Sequence, residues 1–118
     1  MGTFTVPIQI CSLSGAQFTE VTALVDTGST YTTLPGSLLA RLGVVQEGYR
    51  RFELADNRVV EYPIGYARLR MNGTETVAQV VFAPEDTSPL LGATTLENLS
   101  LAVDPVRQQL VPVLALLK

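Results

Sequence analysis

Apolar positions along the chain recur mainly with a period of two, the spacing at which successive strand side chains point to opposite faces. Phe4 to Cys11 and Phe18 to Val25 alternate or run apolar on either side of Ser12 to Ala16, which predicts an opening hairpin. Tyr31 to Leu34 reads as another strand, and Ser37-Leu-Leu-Ala-Arg-Leu42 as a short helix that Gly43 closes from a left-handed conformation. Arg50 to Leu54 and Arg58 to Tyr62 flank Ala55-Asp56-Asn57, whose Asp and Asn favour a turn, so this stretch is expected to project as a hairpin. Polar residues on both of its arms imply little burial.

Gly65 to Met71 and Thr74 to Phe82 form a second clear hairpin about Asn72-Gly73, the strongest short turn signal in the chain. Pro84 to Pro89 reads as a loop and Leu90-Leu91-Gly92 as a buried strand end. Thr94-Thr95-Leu-Glu97 opens a short helix with capping-box spacing. Leu101 to Asp104 and Gln109 to Val113 are expected as final strands around Asp104-Pro105. No linker or low-complexity segment interrupts the pattern, so residues 1–118 are taken as a single, mainly β domain with one or two short helices.

Composition narrows the chemistry. With 118 residues the chain buries roughly 60 to 70% of its unfolded surface, enough for a core without staples. Its 47% hydrophobic content against 16% charged excludes disorder and leaves apolar surface to spare for an interface. A net charge of −3, with basic residues scattered apart from Arg50-Arg51, argues against nucleic acid as a partner. The single Cys11 and the lack of histidine remove an intrachain disulfide, a zinc cluster, a Cys-His pair and a Ser-His-Asp triad. Cys11 reads as a small strand hydrophobe. The N-terminus lacks the charged and apolar regions of a signal peptide, and Val111 to Leu117 is too short to span a bilayer. No membrane association is expected, and a cytoplasmic protein is the default.

Carboxylates remain as the candidate chemistry, and one of them has a distinctive setting. The apolar run Thr22-Ala-Leu-Val25 leads directly into Asp26-Thr27-Gly28-Ser29, placing a carboxylate on a tight turn. Leu24-Val25-Asp26-Thr27-Gly28 followed by a helix is echoed by Pro89-Leu90-Leu91-Gly92-Ala93-Thr94 followed by a helix, as two similar halves about a pseudo-twofold axis would require. Asp86-Thr87-Ser88 mimics the motif but lacks both the preceding apolar strand and the glycine, and reads as a loop turn.

Ala23-Leu-Val-Asp26-Thr-Gly28-Ser29, the hairpin around Ala55 to Asn57, the Leu90-Leu91-Gly92 element and the helix after it occur in an order that resembles the single-domain, retroviral-type aspartic proteases. The resemblance covers roughly residues 4 to 104. It implies a retropepsin-like closed β-barrel, the acid protease fold, working as a symmetric homodimer in which Asp26 is paired with its symmetry mate. Hydrolysis without metal or covalent nucleophile needs one group to take a proton from water while another gives one to the scissile carbonyl, and two carboxyls sharing one proton do both. Within the resemblance, Thr27 locks the opposing loops, Gly28 lets backbone approach substrate, and Ser29 is placed to hydrogen-bond the outer carboxylate oxygen, favouring a more acidic optimum than retroviral enzymes show. Thr30, Leu54, Ala55, Asp56, Asn57 and Leu90 fall along the expected peptide path, with the Ala55–Asn57 hairpin as a flap.

Two departures stand out. Retroviral enzymes often join an acidic residue two after the glycine to an arginine after the Leu-Leu-Gly counterpart, whereas Thr30 and Ala93 occupy those positions here. The flap also lacks the usual glycines. The expected function is that of an aspartic endopeptidase acting on peptide or protein substrates, with no cofactor. The alternative is a noncatalytic dimeric peptide-binding or assembly module of the same fold, and a domain cut from a larger precursor is a third reading.

Overall fold

The computed structural model describes residues 3–115 and 117. In chain order the elements are β1 (Phe4–Ser12), β2 (Thr19–Val25), β3 (Thr32–Pro35), α1 (Gly36–Arg41), β4 (Gln46–Glu53), β5 (Val59–Met71), β6 (Thr74–Ala83), β7 (Leu90–Leu91), α2 (Ala93–Asn98), β8 (Leu101–Asp104) and β9 (Gln109–Pro112). Seven strands form one sheet in the order β1-β2-β7-β3-β6-β5-β4, and a further pairing of β1 with β5 closes six of them into a barrel. The mainly β, closed-barrel architecture expected from sequence is therefore present, with two six-residue helices.

The pairings expose an internal twofold pattern. Antiparallel hairpin, strand and helix recur as β1, β2, β3, α1 and as β5, β6, β7, α2. Each half's third strand lies parallel to the other half's second: β7 beside β2 through Leu24↔Leu90 and Val25↔Leu91, and β3 beside β6 through Thr32↔Val80 to Pro35↔Ala83. Strand β4 has no counterpart in the other half. The barrel interior is filled by inward-facing aliphatic side chains, including Ile8, Ile10, Leu34, Leu69, Val80 and Leu91, as alternation along two-sided strands requires, and Leu39 of α1 joins the same core.

Local signals place several boundaries. The β5–β6 turn has Asn72 at φ 52° and Gly73 at φ 82°, the left-handed pair that a two-residue hairpin demands. Gly43 closes α1 at φ 82°. The β4–β5 hairpin is longer than sequence predicts, because β5 continues without a break from Val59 through Pro63 to Met71, pairing first with β4 and then with β6. Its arms are poorly buried, as their polar residues imply.

One expectation needs correction. The capping box at Thr94 does not form: Gly92 occupies the N-cap of α2 and no side chain caps the helix, whose first amides bond to a neighbouring loop instead. The final strands form where expected, as β8 and β9, and make a two-stranded sheet separate from the barrel. The apolar tail after it begins exposed, with Leu114 90% and Leu117 99% accessible, while residues 116 and 118 lie outside the described set. No helix among the described residues is long and apolar enough to cross a membrane.

Candidate active site

Strand β2 delivers Asp26 to its position. The Leu24 amide donates to the Pro89 carbonyl at 2.9 Å and the Asp26 amide to the Leu91 carbonyl at 3.2 Å, so the parallel neighbour β7 holds the strand up to its last residue. A tight turn follows, in which the Ser29 amide donates to the Asp26 carbonyl at 3.2 Å. The Gly28 amide donates to Asp26 Oδ1 at 2.9 Å. Asp26 is thus half-buried, oriented by its own turn, with Thr27 and Gly28 exposed beside it.

The limb leaving that turn is carried by α2. The Ser29 and Thr30 carbonyls accept the amides of Ala93 at 2.8 Å and Thr94 at 3.1 Å, satisfying the helix's first donors with loop oxygens. Thr32 Oγ1, buried, accepts the Gly92 amide at 3.1 Å and lies 2.7 Å from Thr95 Oγ1. Gly92 allows the approach: a Cβ there would sit 2.5 Å from the Tyr31 carbonyl carbon and oxygen and 2.9 Å from the Thr30 oxygen. At the positions that the resemblance associates with an ion pair, Ala93 donates its amide to the Ser29 carbonyl and Thr30 accepts the Thr94 amide, so the same two segments are joined by main-chain hydrogen bonds.

The Asp26 loop separates two clefts. Asp26, Thr27 and Gly28 line one of about 320 Å³, together with Phe4, Val103 and Pro105. Asp26 is the only carboxylate lining it among the described residues. Ser29 and Tyr31 line a second, of about 270 Å³, shared with Phe52, Leu54, Tyr62 and Val81. Tyr31 meets Phe52 edge to face, with centroids 5.7 Å apart and planes at 74°, and Phe52 meets Tyr62 at 6.3 Å. The Arg50 guanidinium lies 4.8 Å from the Tyr31 ring centre while its Nη1 donates to Gln79 Oε1 at 3.0 Å.

Other residues singled out from sequence fall as follows. Ala55, Asp56 and Asn57 form the exposed tip of the β4–β5 hairpin, closed by Leu54 N–H to Arg58 C=O at 2.8 Å, with Asn57 at φ 67° in the absence of glycine. Asp56 is occupied there, accepting the Arg58 amide at 3.1 Å and its Nε at 2.7 Å. Leu90 pairs with Leu24 and Thr33 and lines neither cleft. Ser29 Oγ donates to the Tyr31 carbonyl at 3.3 Å rather than to Asp26, so the hydrogen bond expected to favour an acidic optimum is not formed in the single protomer. Asp104 accepts the Val106 and Arg107 amides at 3.0 and 3.2 Å, which commits it to its own turn, and Asp86 is exposed in its loop.

The loop after β6 is clasped to α1. Glu85 accepts the Ser37 amide at 3.0 Å and the Ser37 hydroxyl, and these bonds hold its carboxyl below the usual carboxylate range. Pro84 and Thr87 of the same loop line the second cleft.

The residues missed from sequence are Tyr31, Thr32, Phe52, Tyr62 and Thr95. A signal for Thr32 exists: it shares an inward strand face with Leu34, which leaves a polar group buried and in need of a partner.

A family model described as "gag-polyprotein putative aspartyl protease" matches residues 14–98. No curated protein matches the sequence significantly. Among solved structures, the EIAV protease in complex with the inhibitor HBY-793 superposes with a TM-score of 0.64 at 19% identity, covering 83% of this chain and 88% of that one. The simian foamy virus (mac) protease gives 0.52 at 18% identity over 77% and 91% of the two chains. The retroviral protease-like domain of Ddi1 from Leishmania major gives 0.53 at 13% identity over 92% and 87%.

Proposed function

Because the chain belongs to the gag-polyprotein aspartyl protease family, we propose that it is an endopeptidase whose Asp26, paired with Asp26 of a second copy, activates a water molecule to cleave an extended polypeptide. The observation that carries this reading is a half-buried carboxylate on a turn anchored on both sides, beside an open cleft that offers it no second carboxylate among the described residues. Catalysis of this kind needs two. A twofold dimer supplies the second from the same position of the partner.

In the dimer the two carboxyls hold one proton between them, because like charges about 3 Å apart do not both ionise. The ionised member takes a proton from water as the water oxygen bonds to the carbonyl carbon, and the protonated member gives its own to the carbonyl oxygen, producing a tetrahedral gem-diol. In its collapse the carboxyl that took the water proton gives it to the nitrogen as the C–N bond breaks, the other takes a proton from a gem-diol hydroxyl, and the dyad again holds one proton. The bonds from Gly28 and from α2 fix the carboxylate before substrate arrives, so little reorganisation accompanies the reaction. The β4–β5 hairpin acts as the flap, with Leu54 to Asn57 over the peptide.

The test is cleavage of a diverse peptide library from acidic to neutral pH by the wild-type chain and by Asp26→Ala, with and without a pepstatin-type inhibitor. Cleavage that vanishes in the variant is expected. Equal activity in both proteins rejects the assignment, and peptide binding without cleavage by the wild type supports a binding module instead.

A further inference from the structure

We propose that Arg50 is a positioning residue that latches the β4–β5 hairpin to the barrel and so sets how fast a polypeptide enters and leaves the site. This deepens the endopeptidase reading and rests on it for the identity of the ligand. The outer hairpin has little backbone support. Strand β5 pairs with β6 only from Ile64 onward, so among the described residues Val59 to Pro63 have β4 as their one ladder partner, and β4 lies at the edge of the sheet. A two-stranded ribbon standing alone is marginal in water.

The root of this ribbon is suited to bending. The β4 register shifts between Gln46 and Gly48, the mark of a bulge, and a bulge bends the strand that carries it. Opposite, where β5 parts from β6, Pro63 pairs with Tyr49 and has no amide to give the ladder. Gly48 weakens the strand further, and not for want of room, since a Cβ there would meet nothing within 4 Å.

Beyond the root, side chains make the contacts that reach the barrel. Phe52 meets Tyr31 edge to face at 5.7 Å, and the Arg50 guanidinium sits 4.8 Å from the centre of the same ring. Arg50 Nη1 also donates to Gln79 Oε1 at 3.0 Å, while Gln79 Nε2 donates to the Tyr66 hydroxyl at 3.3 Å, so Gln79 is held from both ends. One cation thus joins the ribbon to β6 and to the limb that leaves Asp26. No carboxylate competes for it, because the ion pairs among the described residues are Arg58 with Asp56 and Arg68 with Glu75. The contact of an exposed cation with a ring is weak enough to open and close repeatedly, so it biases the ribbon toward the docked position without locking it there. The link to the catalytic turn runs through Tyr31, whose carbonyl accepts the Ser29 hydroxyl at 3.3 Å.

The experiment measures amide hydrogen exchange in residues 49–62, with residues 67–71 and 74–78 as internal reference. The proteins are the wild type, Arg50→Ala, Gln79→Ala, their combination, Gln79→Glu and the control Arg51→Ala, whose side chain lies on the opposite face of β4. Arg50→Ala should speed exchange of the hairpin by about fivefold. Gln79→Ala should act in the same direction, and the combination should exceed Arg50→Ala by nothing, because both residues serve one contact. Gln79→Glu, which offers Arg50 a carboxylate, should slow it, and Arg51→Ala should leave it unchanged. Stopped-flow binding and release of fluorescein-labelled unfolded casein are then followed on Asp26→Asn with and without the same substitutions. Arg50→Ala should raise both rates by about fivefold and leave the dissociation constant little changed, and Gln79→Glu should lower both. A lost contact with the ligand would instead raise the release rate alone. Hairpin exchange in Arg50→Ala equal to the wild type, or an equal rise in Arg51→Ala, overturns the latch while leaving the endopeptidase reading intact. A change in release rate alone, or binding rates that no variant moves, overturns the positioning role. Casein that binds to none of the proteins rejects the endopeptidase reading and the control of entry together, and exchange by itself then decides whether Arg50 holds the hairpin.

Discussion

Thr32 Oγ1 and Thr95 Oγ1 lie 2.7 Å apart, both residues buried, and tie the strand leaving the Asp26 turn to helix α2. Thr32 also receives the Gly92 amide, so removing its hydroxyl orphans two buried polar groups, whereas removing that of Thr95 leaves Thr32 with one partner. Thr32→Val is therefore expected to lose about 1–3 kcal/mol of stability, more than Thr95→Val, with Thr32→Ser closer to wild type. Urea denaturation of the three variants checks the order. A larger loss in Thr95→Val contradicts the assignment of Thr32 as the shared partner.

Gly92→Ala tests the same seam by sterics. The backbone at Gly92, φ −90° and ψ 170°, suits any residue, so conformational strain does not enter. An added Cβ instead lands 2.5 Å from the Tyr31 carbonyl, and backbone cannot step aside as a flexible side chain can. We expect a cost of about 1–3 kcal/mol from forced displacement, together with a fall in kcat/KM as the limb carrying Ser29 and Tyr31 moves. Unaltered melting and turnover would show that the loop and helix are less tightly apposed.

The parts of this arrangement visible in sequence are those fixed locally. Asn72-Gly73, Gly43 and the alternation of Phe4 to Cys11 specify their turns and strand because the determining atoms lie within a few residues. The Asp26 turn was legible for the same reason. The capping box at Thr94 failed because the first α2 amides find the Ser29 and Thr30 carbonyls, more than sixty positions earlier in the chain, and no local spacing reveals that competition. Tyr31, Phe52 and Tyr62 each look like ordinary strand aromatics; only the folding of the hairpin over the Asp26 limb brings them together. The two-residue β7 is likewise set by its parallel neighbour β2 and not by its own length.

Glu85 provides a pH-dependent prediction. Hydrogen bonds from Ser37 hold its carboxyl below the ordinary value of 4.5, so its folded value is lower than its unfolded one. Such a group stabilises the fold above the unfolded value, and the contribution disappears as pH falls through the folded value. Glu85→Gln should accordingly melt below the wild type near neutral pH and converge on it in strong acid. Thermal midpoints measured across that range decide the matter. A difference constant with pH would mean that the Ser37 clasp, and not ionisation, is what the substitution removes.

A site shared between two copies makes a quantitative prediction that a self-contained site does not. If each active unit needs Asp26 from both protomers, a dimer carrying one Asp26→Asn chain is inactive, whether or not its other half is intact. Equal mixing of wild type and Asp26→Asn, followed by subunit exchange, distributes chains among wild-type, mixed and variant dimers at random. Activity per total chain should then fall to about one quarter of wild type, against about one half when each chain acts alone. Specific activity should also drop on dilution, as dimers dissociate. An outcome of one half, independent of concentration, requires the second carboxylate to come from the same chain. Asp104 then has to leave the Val106 and Arg107 amides, or Asp86 its exposed loop, to reach Asp26. Asparagine replacements at those two positions identify which one moves.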